Sequence, residues 1–555
     1  MFTNLSAERD SSVAASTQLW RWAFIVAFIL LQAVKWRIAA VLPLFGDEAF
    51  YWQASRHLAW GYSALPGMTA WLIRLGQAIG GTGLLGVRWP FLLLGALLPW
   101  LVVAFAQRHV HAGARAWQAG LLTLALPLAG SLGLLALPDV MLTVAAMLAL
   151  LALAEAMQRD LWRNWLLLGV AVALSLMSHY RAAMLLLAGL AFCTLTPRGR
   201  GVWRRRGWYV SLALGVLGVI PALIYNWHHA WVALDFQLLQ RNPWQFHADA
   251  LVQPLEQALI CTPLFYALML AALWRCMRRV GEAAPWDLIA SSALSFLLGY
   301  FLFGLFADDT HFRVHWPLPG YLPLLAVLPC LMGDYWQASR MRLPRRLILV
   351  LSLLMLVAGQ CAVLGYAWMA STPARAATLE SLKAYPNAFV GWPRIGKQTR
   401  ALLAQPDLAD AVLVADNFRL AAELDFELHG ARRVYSLDSP TNTKHGHAPQ
   451  LAQWQLDEDA LRREHAGQPV LLVVAETDMR QSRRVPWLRS LCNGFAELKA
   501  LARLDFDGGS KRVAFYAARL RTQPLPVPAD SCIIWQHAAT AQHAAVARRA
   551  AAHPG

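Results

Sequence analysis

Eleven apolar segments of roughly membrane-spanning length succeed one another in the first two thirds of this chain, and short arginine-bearing loops join them. They run over about 19–44, 87–106, 116–137, 140–157, 164–177, 182–196, 208–226, 254–274, 287–306, 316–333 and 347–370. A bilayer core of ~30 Å needs about 20 apolar residues per helix, and backbone polar groups in lipid are satisfied only inside helices or closed barrels. The pattern therefore predicts a polytopic α-helical membrane protein. With 57% hydrophobic and 15% charged residues, and a mean hydropathy of +0.40, a soluble globule with one anchor is excluded. The net charge of +16 does not point to nucleic acid, because the arginines sit in the short loops between apolar runs, which is the pattern of membrane orientation.

Orientation follows from those arginines. If the first 18 residues are cytoplasmic, and the short segments 164–177 and 182–196 each cross once, the inner loops are "QRHVHAGAR", "QRDLWR", "PRGRGVWRRRG", "WRCMRR" and "ASRMRLPRR". Each carries at least two arginines. The outer loops after the first carry Arg181, Arg241 and Arg313. Merging the short pair would put "RGVWRRR" outside, against the positive-inside rule. Two short helices are therefore expected, with the "SHYR" junction (Ser178 to Arg181) below the outer surface. The polar first 16 residues show no cleavable leader, so the first apolar run is expected to remain as a span.

Past residue 371 the composition changes. "AVLVAD", "RRVYSL", "PVLLVVAE" and "KRVAFYAARL" read as strands, and the periodic stretch ending at Gly430 reads as a helix. The expected organisation is a cytoplasmic tail at 1–18, a membrane domain at 19–370, a small outer-face α/β domain at 371–523, and a low-complexity, disordered tail at 524–555. Of the seven cysteines, Cys193, Cys261, Cys276, Cys330 and Cys361 lie in apolar runs, while Cys492 and Cys532 lie in the outer region, where a disulfide between them is expected.

This orientation places the chemistry on the outer side. Asp47 and Glu48 stand together at the first exit, followed by "AFYWQASRHLAW", an amphipathic helix suited to the membrane interface. Two solvated loop carboxylates are the simpler alternative. Asp139 opens a span just after Pro138, where an acid is either a helix cap or a functional group. His179, Arg181, Arg313 and His315 share that side, and cations beside a membrane cavity suit a phosphate. Arg313 pairing with Asp308 or Asp309 within one loop is the alternative. His228, His229, His247 and Glu256 match no metal-ligand spacing. Together these groups suggest group transfer, in which a carboxylate takes a proton from an acceptor hydroxyl while cations stabilise a leaving phosphate.

The blocks "GDEAFYW…GYSALPGMTAWLIRLG…VRWPFLLLGAL", "LPDVMLTV", "LSLMSHYRAAMLLL", "IPALIYNWHHAWVALDFQL", "VHWPLPGYL" and "VADNFRLAAELDFELHGARRVYSLDS" occur in that order. This set resembles the bacterial members of the glycosyltransferase family of the dolichyl-phosphate-mannose protein mannosyltransferases and the lipid A aminoarabinose transferase, which have the GT-C fold. The resemblance covers about 20–440. It implies transfer of a sugar from a polyprenyl-phosphate donor to a lipid, polysaccharide or protein acceptor at the outer face of the bacterial inner membrane. It gives Asp47 the role of catalytic base, with Glu48 beside it, and has Asp139 assist. His179, Arg181, Arg313 and His315 are the expected donor-phosphate ligands. No metal site is expected, and a divalent cation is left open as a cofactor. The chain departs from the family at Ala64-Leu65-Pro66-Gly67, where "DHPP" is common. It departs again at Ser178-His179-Tyr180, where the family often has "SKY", so that His179 or Arg181 stands in for a lysine. A transporter of lipid-linked sugars and a non-catalytic assembly protein are the competing classes. The first would need paired broken helices in two halves, which the sequence does not display.

Overall fold

The computed structural model describes residues 2–241, 244–282, 285–306, 314–337, 342–379, 384–479 and 481–525. Two compact units emerge: one comprises Met1–Ala40 and Ala59–Tyr366, the other Val41–Leu58 and Ala367–Gly555.

The first unit is helical, as expected of a polytopic membrane protein. Among the described residues six helices are long and apolar enough to cross a membrane: Ala14–Ala39, Leu84–Val110, Pro138–Arg159, Arg206–His228, Trp286–Phe306 and Leu343–Ala370. Two further pairs qualify only as bent spans, Tyr180–Leu195 with Pro197–Arg204 (93°) and Ala248–Ile260 with Pro263–Arg278 (107°). The apolar run 116–137 is not one straight helix. It ends as a helix at Ala125, turns at Leu126 into Pro127–Gly130, and continues as a loop to Leu137. Pro127 takes the first position of the new helix, where its missing N–H would have had no intrahelical acceptor. The two short helices at the "SHYR" junction do form. Trp162–Ser178 stops at His179, whose backbone is extended (φ −158°, ψ 143°), and a 3-10 turn at Tyr180–Ala182 starts the next helix, Ala183–Leu195.

The helix Pro138–Arg159 is the axis of this unit. Its apolar window is 89% buried, against 22% for Ala14–Ala39 and 28% for Leu343–Ala370, which leave most of their surface for lipid. The loop that leads into it is pinned by close backbone approach. A Cβ on Gly95 would fall 2.0 Å from the Leu132 carbonyl oxygen, and one on Gly133 (φ +85°) would fall 2.2 Å from the Phe91 carbonyl oxygen, so no larger residue fits at either position. Lys35, 1% exposed, donates to the Leu132 carbonyl at 2.6 Å. Burying an ammonium in a helix bundle is costly without such a partner, so this bond holds the loop at 131–137 in one place.

The second unit is an α/β domain with a five-stranded sheet: β1 Val412–Ala415, β2 Val434–Ser436, β3 Pro469–Ala475, β4 Phe495–Phe506 and β5 Lys511–Leu520, in the order β2-β1-β3-β5-β4. β1 runs parallel to β2 and β3, while β5 is antiparallel to β3 and β4. Both faces are covered. Leu413, Ala415, Leu471, Val473 and Phe515 point into one core, and Val414, Leu472, Val474 and Tyr516 into the other. That explains the unbroken apolar runs of β1 and β3. Four of these strands are legible in the sequence; β4 is not. "FAELKALARLDF" is built from strong helix formers, and its burial is irregular because it is an edge strand with two register shifts against β5.

One expectation is corrected here. The helix Gly46–Arg56 forms, but its aromatic face does not present itself to a membrane interface. Phe50 and Trp52 are 2% and 4% exposed. Phe50 packs on His447 (3.9 Å between ring centroids), Trp454 and Phe418, and Trp52 lies edge-on to Phe426 at 5.1 Å. Arg56 pairs with Asp425 at 3.1 Å and Gln53 donates to the same carboxylate at 3.1 Å. The sequence pattern of an amphipathic helix is the same whether its apolar face meets lipid or another domain; here it meets the helix Phe418–Glu427.

Among the described residues Cys193, Cys261, Cys276, Cys330 and Cys361 are free thiols, while Cys492 is disulfide-bonded. Cys532, its expected partner, lies outside the described residues, as does the tail from 526 on. Phe50→Ala should destabilise this unit by about 3 kcal/mol or more, the usual scale for emptying a buried aromatic site, read as earlier thermal unfolding with increased proteolysis after residue 370. Non-reducing peptide mapping should return a peptide linking Cys492 to Cys532; two alkylatable thiols would contradict it.

Candidate active site

The membrane unit brings four of the anticipated residues together. Asp139 stands in the first turn of Pro138–Arg159, behind Pro138 at the first position and with Leu137 as the extended N-cap residue. It is therefore not the cap itself. A carboxylate in a first turn is nevertheless favoured by the N-terminal end of the helix dipole. An Arg181 guanidinium nitrogen donates to Asp139 Oδ1 at 2.5 Å, and His315 Nε2 lies 3.4 Å from the same oxygen. The Asp139 and Arg181 side chains are 18% and 13% exposed.

Each partner is positioned by its own support. The break at His179 turns Arg181 inward: His179 Nδ1 faces the Arg181 backbone N–H at 3.0 Å, and His179 Nε2 faces Arg181 Nε at 3.1 Å. A neutral imidazole has one lone-pair nitrogen, so it accepts from one of these at a time. Asn226 donates to the Tyr180 hydroxyl at 3.3 Å, tying the 3-10 turn to the helix Ile220–His228. On the other side, Gln257 donates to the Val314 carbonyl at 3.0 Å and accepts from the Tyr321 hydroxyl at 2.7 Å, which fixes the backbone just before His315.

Two residues not singled out in the sequence complete the cluster. Trp316 carries the Arg181 guanidinium 4.8 Å from its ring centroid and that of Arg241 at 5.6 Å, and Tyr300 packs on it at 5.5 Å. Guanidinium–indole stacking contributes about 0.5–2 kcal/mol and leaves the edge donors of the cation available for an oxyanion. The only signals in the sequence were an arginine in an outer loop and a tryptophan next to His315.

Asp47 and Glu48 belong to the other unit. Neighbouring helical positions diverge by ~100°, and the two acids have different surroundings. Glu48 is fully buried and its Oε2 accepts from the Phe45 backbone N–H at 3.0 Å, the return bond of a capping box. Asp47 is half-buried in the first turn of Gly46–Arg56. Glu48 thus has a capping position, and Asp47 stands one residue before it in the same turn. Arg313, with Asp308, Asp309 and His311, lies outside the described residues. His229 Nδ1 lies 2.8 Å from the Tyr225 carbonyl oxygen. His228, His229, His247 and Glu256 do not converge into a group able to hold a metal ion among the described residues.

Residues 65–225 match the family described as dolichyl-phosphate-mannose-protein mannosyltransferase. A segment of 210 residues, 36% of the chain, is 27% identical to the lipid A galacturonosyltransferase RgtD of Rhizobium johnstonii, and this match spans 43% of that protein's length. The structure is similar to ArnT from Cupriavidus metallidurans, both in the apo state (TM-score 0.61, 15% identity) and bound to undecaprenyl phosphate (TM-score 0.61, 16% identity). Each alignment covers 89% of this chain and 98% of the other.

A double-mutant cycle tests the central pair. Arg181→Gln and Asp139→Asn should each lower thermal stability, since removing one partner of a buried pair costs about 3–5 kcal/mol. The double variant should recover at least ~1 kcal/mol of the summed loss. Strict additivity would show that the two side chains do not interact.

Proposed function

We propose that the chain is a multi-pass membrane glycosyltransferase of the GT-C type, related to the dolichyl-phosphate-mannose-protein mannosyltransferases and ArnT, and that it moves a sugar from a polyprenyl-phosphate donor to a cell-envelope acceptor at the outer face of the inner membrane. The observation that carries this reading is the part-buried cluster in which Arg181 meets Asp139 and His179, His315 approaches the same carboxylate, and Arg181 and Arg241 stack on Trp316. Arginine holds a phosphate across the whole working pH range, and its planar donors match phosphate oxygens. Asp139 orients Arg181 and offsets part of its charge before the donor arrives. That ArnT has been crystallised with undecaprenyl phosphate, and that RgtD is a lipid A galacturonosyltransferase, supports a lipid-phosphate donor and a lipid acceptor.

The chemistry is a displacement at the anomeric carbon. The acceptor hydroxyl loses its proton to a carboxylate, its oxygen bonds to the sugar, and the bond to the phosphate oxygen breaks with its electron pair going to the phosphate. Asp47 is the proposed base, a role that comes from its place in the "GDEAFYW" block, whose other acid, Glu48, caps the helix through the Phe45 N–H. Arg181 and His315 are the proposed stabilisers of the leaving phosphate, with Arg313 proposed alongside them from the sequence. The N-terminus is proposed to be cytoplasmic and the α/β domain outside, from the arginine distribution.

Transfer assayed with the purified protein and a polyprenyl-phosphate sugar separates this reading from a transporter or an assembly scaffold, neither of which forms product. Asp47→Asn should fold normally and lower turnover by ~100-fold or more, the usual scale for losing a general base. Arg181→Ala should raise the Michaelis constant for the donor, or abolish turnover, without a comparable change in the acceptor constant. Near-normal turnover in Asp47→Asn would remove it from the mechanism, and equal effects of Arg181→Ala on both constants would remove Arg181 from the donor site.

A further inference from the structure

The membrane unit encloses a carboxamide that its packing does not explain. Gln253 opens the helix Gln253–Ile260 and is 2% exposed, yet neither its Oε1 nor its Nε2 has a hydrogen-bond partner. An amide that gives up water without gaining a partner is disfavoured, and such groups in folded proteins mark strain, chemistry or a ligand. Methionine would fill about the same space in a helix bundle without that loss.

Its place follows from its helix. Residues four apart share a helix face, so Gln253 lies one turn from Gln257 on the same side. The Gln257 carboxamide is fully used, between the Val314 carbonyl and the Tyr321 hydroxyl. That face is thereby tied to the backbone just before His315. Gln253 itself reaches the helix Trp286–Phe306 at Gly304, where any Cβ would overlap its amide nitrogen. Tyr300, one turn from Gly304 on the same face, packs on Trp316, which carries Arg181 and Arg241. The chain before Gln253 is fixed to the same helix end. The His247 N–H donates to the Leu305 carbonyl at 2.8 Å, and His247 Nε2 is likewise enclosed without a partner. Two routes, through Gln257 to His315 and through Gly304 and Tyr300 to Trp316, each lead from Gln253 to the phosphate cluster across one turn of helix.

We propose that Gln253 is a specificity-determining residue that reads the sugar of the donor, its carboxamide hydrogen-bonding a ring hydroxyl while the phosphate lies on the Arg181 cluster. This rests on the transfer reaction proposed above and names the part of that site which holds the sugar. A hydroxyl both donates and accepts, and a carboxamide can answer both needs. Being neutral, it does not compete with Asp139 for the arginine or with the arginine for the phosphate. Its contribution is selection. A site built around a buried amide rejects a sugar that lacks the matching hydroxyl, because the amide is then left unpaired. Gly304 belongs to the same device, since only glycine leaves the carboxamide its room. Enclosed as Gln253 is, the hydrogen bond forms on binding, when the sugar displaces what covers the amide.

The test compares full-length protein in detergent with its Gln253→Met variant. The probes are undecaprenyl phosphate, bare or carrying glucose, galacturonic acid or 4-amino-arabinose. At least one sugar should bind the unmodified protein more tightly than the bare lipid phosphate does. For that sugar Gln253→Met should lower affinity by about 10-fold, the scale of one hydrogen bond to a buried polar group, while bare undecaprenyl phosphate stays within ~3-fold. Among monodeoxy versions of the same sugar, one should lose about 10-fold on the unmodified protein and nothing further on the variant, the coupling expected of a direct contact. Arg181→Ala should weaken bare and loaded lipid alike. Gln253→Met should also melt at or above the temperature of the unmodified protein, because it replaces an unpaired amide with an apolar side chain. A lower melting temperature would show a structural hydrogen bond and overturn the proposal. So would unchanged binding of the loaded donor, equal losses for bare and loaded lipid, or no gain from any of the sugars. Those outcomes leave the transfer reading standing, whereas failure of the unmodified protein to bind undecaprenyl phosphate in any form would overturn both.

Discussion

A carboxylate and a guanidinium, 2.5 Å apart at the start of the most buried helix of a membrane bundle, are the constraint around which the rest of this unit is arranged. Neither charge tolerates isolation at that depth: an unpaired ion in a low-dielectric interior is strongly disfavoured. The surrounding structure is accordingly specific about where each comes from. Gly95, Gly133 and Lys35 fix the loop before Asp139. The extended break at His179 delivers Arg181, and Gln257 with Tyr321 fixes the approach to His315. A pair that only stabilised the fold would gain little over well-packed apolar residues. A pair surrounded by further cationic side chains and stacked on an indole is better suited to receive an anion.

The α/β unit applies a different logic to the same kinds of residue. Its sheet is apolar on both faces, and its polar groups gather at the strand ends. The helix Gly46–Arg56, early in the chain, is built into it through Phe50, Trp52 and the Arg56–Asp425 pair. An acid at position 47 is thereby held by a packed domain. Its neighbour Glu48 is consumed in capping the same helix.

Much of this was legible in the sequence, for identifiable reasons. Apolar length was enough for a helical membrane unit and for the two short helices on either side of His179, though of the eleven apolar runs six form helices long enough to span among the described residues, or eight counting bent pairs. Parallel strands buried on both faces wrote themselves as apolar runs. Asp139, His179, Arg181 and His315, which the membrane unit brings together, were singled out because ionisable groups at the ends of spans are rare. What was missed depended on tertiary context. The strand Phe495–Phe506 is made of helix formers at a sheet edge. The partner of the aromatic face at 50–52 cannot be told from lipid by periodicity. The roles of Arg241 and Trp316 exist only once the loops around residues 181, 241 and 316 meet.

The central claim is that the Asp139–Arg181 cluster receives the phosphate of a polyprenyl lipid. Binding, measured apart from turnover, tests it most directly. Purified full-length protein and its Arg181→Ala variant, both checked for folding, would be titrated with a polyprenyl phosphate and the bound fraction read by native mass spectrometry. The account predicts saturable binding to the unmodified protein, weakened about 10-fold or more in the variant, on the scale of a lost charge-assisted contact. Binding of equal strength in a folded Arg181→Ala protein would contradict it.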